Sequence, residues 1–475
     1  MKFLSSLQDD LWFAEEDVIG TEAHNIMLFE QGILNKEEIS KILSSLEKVK
    51  KKIEKNELEL DSSFEDIHPL IEKMVIDDIG IEIGGKIHTG RSRNDQVSVD
   101  IRLKIRNEIN ELTEKLFEFI IILQKLAEET KDYFIPLYTH LQKGQLGVFA
   151  HYLNGYCSQI LRSIERLNDC YKRINLNPLG ACAIGGTNFN IDRERTTHLL
   201  GFDGVIENSI DAISSKDFMV ETIMNLSLLA LQLSRITEDL VLWSSKEFEY
   251  LELDDGYASV SSVMPQKKNP DTIEIARAKS SKIISNLIEI QMICKAIPTG
   301  YFRDFQQLKM PIKDSFDVLN SIIEILSGVF STIKLKKENM RKAAEDSLIL
   351  SLDLAELLVI EYNIPFRQSH KIVGNLIKDN ESKEGVFDKS NIEKAILQVT
   401  NHKVEIDEKF MELFKNLEEC LKKRVSMGSP SLIDEQIGNL KAKQKVLTNQ
   451  FQERKERISK AEQLRIDLVK KYLKL

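Results

Sequence analysis

The sequence predicts an all-α protein built on a central bundle of long helices. Three observations carry that expectation. Ile105, Ile109, Leu112, Leu116, Phe119, Leu123 and Leu126 follow one another at steps of four and three, which lays one apolar stripe along a helix. The same spacing recurs through Met219, Ile223, Leu226, Ala230 and Leu233, and again through Phe316, Leu319, Ile323, Leu326, Phe330 and Ile333. Residues 218–243 are apolar nearly all round, so that helix is expected to be buried on every side. A five-helix bundle buries one such element. Several long apolar helices suggest that bundles also pack against each other between subunits. These stripes are core and mark no cofactor site.

At 475 residues the chain can form a large core, split over more than one domain. Its 42% hydrophobic and 29% charged content is that of an ordinary globular protein. A net charge of −10 argues against nucleic acid as the main partner, because phosphate binding needs a basic face. No apolar run is long and charge-free enough to span a membrane, and after Leu4 the chain turns polar, unlike a secretory signal. Cys157, Cys170, Cys182, Cys294 and Cys420 are odd in number and scattered, and the eight histidines do not cluster with them. Reduced thiols in a cytoplasmic protein, with no metal, cofactor or disulfide framework, are therefore expected.

In chain order, residues 1–91 mix short helical patterns with Lys-rich turns and glycines. Asp17 to His24 reads as a loop entering a helix, with Thr21 as its cap. Lys48 to Lys55 reads as a solvated helix face. Glu65-Asp66-Ile67-His68 opens another helix, with His68 either facing a site or serving structure. In Gly84 to Asp95, glycines at each end allow tight turns, and Arg91, Arg93 and Asn94 supply donors suited to carboxylates. Ser92 or Asn94 could equally be a helix cap there, with the arginines merely exposed.

A long helix starts near Val97. After it, Pro136 blocks helix continuation, so Thr139 and His140 are expected in a turn with the imidazole aimed into a cleft. Pro178 to Thr187 is Gly-rich, but it lacks a Lys-Ser/Thr ending and a βαβ setting, so it is no nucleotide cradle. Between two helical patterns stands Ser259-Val260-Ser261-Ser262-Val263-Met264-Pro265-Gln266-Lys267-Lys268-Asn269-Pro270-Asp271. Its prolines bar helix, and it gathers hydroxyls, ammonium groups and an amide, a set suited to an anion that gains charge during reaction. Solvated lysines on a helix connection are the plain alternative. Residues 271–293 read as a helix, with Glu274 in its first turn as an ordinary dipole partner. Met427 to Ser431 is a turn cluster, and the final helix reads as amphipathic and mostly solvated.

The string Ser-Ser-x-Met-Pro-x-Lys-x-Asn at 261–269 resembles the signature of the fumarase/aspartase superfamily. Its Gln266-Lys267-Lys268-Asn269-Pro270-Asp271 version, with His88-Thr89-Gly90-Arg91-Ser92-Arg93-Asn94-Asp95, is similar to the argininosuccinate lyases. Thr139-His140-Leu141-Gln142 and Tyr301 to Lys309 continue that likeness, as do Asp353-Leu354-Ala355-Glu356 and Ile364-Pro365-Phe366-Arg367.

The resemblance implies a three-domain, homotetrameric lyase. Its N-terminal, mostly helical domain would cover 1–91, its central bundle with catalytic loops 92–342, and a small C-terminal helical domain 343–475. It implies Ser261, His140, Glu274 and Lys267 as catalytic residues. Thr21, Ser92, Arg93, Asn94, Thr139, Asn269, Tyr301, Gln306 and Lys309 would bind argininosuccinate, in sites assembled from different subunits. Several positions depart from the pattern: Thr21 for serine, Val260 for the glycine before the serine pair, and Lys143-Gly144-Gln145-Leu146 for Arg-Ala-Gln-Pro. Phe302, Phe305 and Leu308 would make the guanidino end more apolar.

The implied reaction is β-elimination of fumarate from argininosuccinate, releasing arginine. Ser261 would be the base, Lys267 and Asn269 would stabilise the developing dianion, and His140, oriented by Glu274, would be the acid, or the two roles would be exchanged. A sister lyase for adenylosuccinate, aspartate or malate shares the loop and the product. A non-catalytic structural relative is the rival of another class.

Overall fold

The computed structural model describes residues 3–61, 63–345, 347–379 and 386–475. Helix dominates it, as the periodicity predicts. Three N-terminal helices, α1 (Ala14–Glu30), α2 (Lys36–Glu54) and α3 (Ile67–Ile79), lead into the 37-residue α4 (Arg93–Glu129). Ser92 caps α4: its side chain and that of Asp95 form a reciprocal capping box. After a hairpin of β1 (Phe134–Thr139) and β2 (Gln142–Val148), α5 (Phe149–Ile174) returns along α4. The short α6 (Arg193–Leu200) precedes α7 (Asp217–Ser244). A two-residue ladder of β3 (Ser259–Val260) and β4 (Lys268–Asn269) then leads to α8 (Asp271–Cys294) and α9 (Lys309–Thr332).

Side-chain contacts set the directions of the five long helices. Arg102, near the start of α4, donates to the carbonyls of Arg173 and Ile174 at the end of α5 and lies 3.9 Å over the ring of Phe218 at the start of α7. Asn286, late in α8, donates to the Pro311 carbonyl early in α9. The near end of the bundle therefore collects the starts of α4, α7 and α9. The far end collects the hairpin, the 259–270 loop and the start of α8. At that far end Gly328 of α9 leaves room for the Tyr257 side chain, which occupies the place a Cβ would take. One continuous apolar core runs through the bundle and both flanking helical sets.

Two expectations are corrected. Thr21 caps nothing: it lies in the middle of α1 and is buried, because the backbone runs helically through Asp17 to His24. Residues 217–244 are not buried on every side. Met224 (44% exposed) and Leu231 (50%) leave an apolar face on α7, and Ile288 (58%) and Met292 (63%) do so on α8. A single bundle has too few neighbours to cover every face of its central helices.

The last helix, α13, follows α10 (Ser351–Tyr362), α11 (Phe366–Asp379) and α12 (Lys389–Thr400). It runs from Ile433 to Tyr472 and leaves those small helices to dock along α5, α6 and the N-terminal helices. Leu447, Phe451, Arg454, Ala461, Arg465 and Val469 are buried in that contact. A stripe of steps three and four, thinly apolar in sequence, suffices because two of its charged members are sheltered. Arg465 pairs with Glu22 of α1, and Arg454 stacks over the Tyr171 ring at 4.2 Å. Among the described residues no helix is long and apolar enough to cross a membrane.

Candidate active site

At the near end, a cavity of about 300 Å³ opens between the start of α4, the start of α3 and the turn at 303–308. Arg93, Asn94, Tyr301 and Gln306, all singled out from sequence, line it together. Its volume is at the lower bound for small-molecule sites. Asn94 Nδ2 donates to the Ala183 carbonyl at 2.8 Å, which fixes its amide at the rim. Asp95 accepts from the backbone N–H groups of Ser92, Gly180 and Cys182 at 2.8–2.9 Å, tying the Gly-rich segment to the helix start. Gly180 sits at φ +93 with the Arg193 side chain packed where a Cβ would stand, so glycine is required there. The segment is thus a backbone donor for Asp95.

Thr21, Ser92 and Lys309 support the cavity without lining it. Thr21 Oγ1 accepts from Arg91 Nη1 at 3.0 Å, and His24 Nε2 meets the Thr89 carbonyl at 2.8 Å, so α1 clamps the 88–91 turn. Ser92 is the helix cap. Lys309 is buried, paired with Asp10 and 3.1 Å from Ser6 Oγ, which withdraws its ammonium from the cavity.

Sequence reasoning left out His88, Gln96, Glu65 and Arg303 and left His68 undecided. Four of these five line the space; Glu65 stands at its mouth, joined to both arginines. Burial, with the nearby Arg91 guanidinium, pushes the His88 imidazole down to about 4, so it is neutral at ordinary pH. His68 Nδ1 lies 3.1 Å from Asp17 Oδ1. The adjacency of Glu65 and His68 in one turn was the available signal.

Asp17, His68 and Asp100 are a described group whose ligand atoms lie within 4.8 Å of one another, close enough for a cation. The electrostatics favour another arrangement. Burial and the neighbouring Asp17 raise the Asp100 carboxyl well above the usual carboxylate range. Burial would also raise Asp17, but His68 and Arg91 outweigh it and lower its value. Opposed shifts of this kind let the two neighbouring carboxyls share one negative charge. All five cysteines are unpaired thiols.

The remaining candidates stand at the far end. Thr139 ends β1, and His140 and Leu141 form the two-residue hairpin turn at φ +55 and +56. Left-handed backbone at two non-glycine residues is strained, and such strain gathers at functional sites. The turn carries His140 outward. It is exposed, and the 800 Å³ cleft beside the hairpin is lined by Tyr138, Leu141 and Gln142 but not by the imidazole. Among the described residues the His140 imidazole thus stands beside this cleft without lining it, because a hairpin tip projects beyond the surface that supports it.

Ser261 begins the loop between β3 and β4. Its Oγ accepts from the backbone N–H groups of Val263 (3.3 Å) and Met264 (3.1 Å), and its own N–H donates to the Lys267 carbonyl at 3.0 Å. The two lysines divide their work. Lys268 anchors the loop to Asp255 at 2.6 Å, while Lys267 is exposed. Asn269 pairs with Ser259 in the ladder, and Glu274 is exposed in the first turn of α8. Val260 is extended and paired with Lys268, where a β-branched residue is well suited and no glycine is needed.

One chain thus brings Arg93, Asn94, Tyr301 and Gln306 together and leaves Thr139, His140, Ser261, Lys267, Asn269 and Glu274 at the other end.

Comparison with known proteins gives concordant results. Residues 1–285 match a family profile described as lyase, and residues 348–422 one described as argininosuccinate lyase C-terminal. The chain is 45% identical to the argininosuccinate lyase of Nitrosopumilus maritimus (strain SCM1), over 79% of this chain and 76% of that one. It is 41% identical to that of Methanocaldococcus jannaschii, covering 90% and 88%. With that of Methanosarcina acetivorans it shares 37%, covering 100% and 96%. Among solved structures, an EDDS lyase variant with bound fumarate superposes with a TM-score of 0.88 at 27% identity, covering 98% and 93%. A class II fumarase from Schistosoma mansoni, at 18% identity, shares the fold with a TM-score of 0.73, covering 87% and 91%.

Proposed function

The chain belongs to the argininosuccinate lyases of the fumarase/aspartase superfamily, and from that membership we infer its reaction in arginine biosynthesis. It cleaves argininosuccinate to arginine and fumarate by β-elimination. The difficult step removes a proton beside a carboxylate, placing a second negative charge next to the first. Electrostatic stabilisation of that dianion is the largest demand on the site.

Ser261 is the base in this reading. The observation that carries the assignment is its hydroxyl oxygen, which faces two backbone N–H donors at 3.3 and 3.1 Å. Such donors stabilise an alkoxide far more than a neutral hydroxyl. Lys267 and Asn269, on the same loop, stabilise the dianion. His140, oriented by Glu274, protonates the departing guanidino nitrogen. Thr139, Arg93, Asn94, Tyr301 and Gln306 position the substrate, with Thr21, Ser92 and Lys309 acting from behind them.

A homotetramer supplies the missing half of each site. The near end of one subunit meets the far ends of others, and the exposed apolar faces of α7 and α8 are the surfaces that join. Domains 1–91, 92–342 and 343–475 fit the same reading, with α13 bracing the first two. Unpaired thiols suit a reducing cytoplasm.

The test is the ultraviolet absorbance of fumarate on mixing purified protein with argininosuccinate. Wild type should generate it, and Ser261→Ala should lower turnover by about 10²–10⁴-fold while substrate still binds. Absence of fumarate from wild type would overturn the reaction. Turnover of Ser261→Ala within about tenfold of wild type would remove Ser261 as the base.

A further inference from the structure

Glu65 stands at the mouth of the near-end cavity, between two guanidinium groups. Its Oε2 accepts from Arg93 Nη1 at 3.0 Å and from Arg303 Nη2 at 2.6 Å. Arg93 opens α4, and Arg303 lies on the 303–308 turn that also carries Gln306, so one oxygen joins two walls of the cavity. Arg93 has a second carboxylate within reach, Asp66 at 3.2 Å; among the described residues Arg303 pairs with Glu65. All three side chains are part-exposed, so a solute can reach them.

Two guanidiniums sharing a single carboxylate oxygen leave the fork half used. A carboxylate entering from the cavity can present one oxygen to each arginine, giving each guanidinium a charge-assisted acceptor of its own. Glu65 reaches both arginines through Oε2 alone, from just before α3.

Building on the proposed lyase function, we propose that Glu65 is an internal carboxylate that fills the Arg93–Arg303 fork in the empty enzyme. A carboxylate of the substrate displaces it, which makes Arg303 a specificity-determining residue for anionic substrates. Glu65 keeps the two walls joined until substrate arrives and sets a threshold that a neutral or singly contacting compound does not cross.

The test uses Glu65→Gln, Arg303→Gln and the double variant, with argininosuccinate as substrate and succinate as a non-reacting carboxylate probe in calorimetry. Part-exposed ion pairs of this kind are worth a factor of about two to five. Glu65→Gln should lower KM and tighten succinate by that factor, with kcat within about twofold. Arg303→Gln should raise KM by about fivefold or more at unchanged kcat, and in its background Glu65→Gln should gain less than it does alone. A merely structural strut would lower the melting temperature without these changes, so unchanged or weaker succinate binding by folded Glu65→Gln would overturn the proposal. If wild type released no fumarate, the lyase reading would fall, while succinate binding would still decide the role of Glu65.

Discussion

Two variants that are each inactive should restore activity to one another. Asn94→Ala removes an amide at the near end of the bundle, and Ser261→Ala removes a hydroxyl at the far end. The 37 residues of α4 lie between those ends, and at a rise of about 1.5 Å per residue they span about 55 Å. No side chain crosses that gap, so one chain cannot unite the two groups around one substrate. In hybrid tetramers some sites regain both. A site is intact when its near-end subunit carries the Ser261 change and its far-end subunit carries the Asn94 change. With random one-to-one assortment each condition holds half the time, so about a quarter of sites recover.

The assay denatures the two variants together, refolds them, isolates tetramers and follows fumarate absorbance. About a quarter of the wild-type rate is expected, against a Ser261→Ala background at least about a hundredfold lower. Mass spectrometry of intact assemblies verifies the hybrids. Hybrids no more active than either parent would refute the shared site.

Two stability predictions follow from buried ionisable groups on α1. His24 is fully buried, and burial, with Arg91 beside it, lowers its imidazole from 6.5 to about 3. The unfolded chain therefore binds the extra proton first, so the stability contributed by the neutral ring is present above pH 6.5 and is lost as pH falls toward 3. By pH 5 that loss is about 2 kcal/mol. His24→Gln keeps a donor for the Thr89 carbonyl, and its melting temperature should fall less than that of wild type between pH 7 and 5; equal falls would refute the account. Arg465 and Glu22 form a buried ion pair between α13 and α1. Arg465→Met should destabilise by about 3–5 kcal/mol in thermal unfolding because Glu22 is left unpaired, and Arg465→Met with Glu22→Met should regain most of it. A single variant as stable as wild type would show that α13 is not held this way.

The bundle was legible because helical packing is periodic: the stripes through Ile105–Leu123 and Phe316–Phe330 are buried faces of α4 and α9, and only their last members, Leu126 and Ile333, are half-buried. The Ser92 cap and the first-turn place of Glu274 were legible for the same local reason. The hairpin was not. A single proline explained why helix stopped at 136, but strand pairing of Phe134–Thr139 with Gln142–Val148 depends on a left-handed turn at His140 and Leu141, residues that rarely adopt it. Thr21 was misplaced because a hydroxyl signals a cap only where a helix begins, and α1 had already begun at Ala14. The docking of α13 was hidden because arginines contribute to its buried stripe, and an arginine is sheltered only when a particular glutamate or aromatic ring lies opposite.

By itself the sequence determined which chemical groups the protein owns: adjacent hydroxyls, paired lysines and an amide on one proline-bounded loop, a histidine after a proline-stopped helix, and arginines at a helix start. These are local facts, set by residue type and short-range spacing. Only the tertiary structure decided where they stand. A long helix carries the two ends of one segment, Asn94 and Thr139, to opposite ends of a bundle, and the packing brings remote residues such as Asn94 and Gln306 to one cavity. It also decided that Glu65 sits between Arg93 and Arg303, because a contact between residues 238 positions apart depends on how whole helices pack, and no window of sequence contains that information.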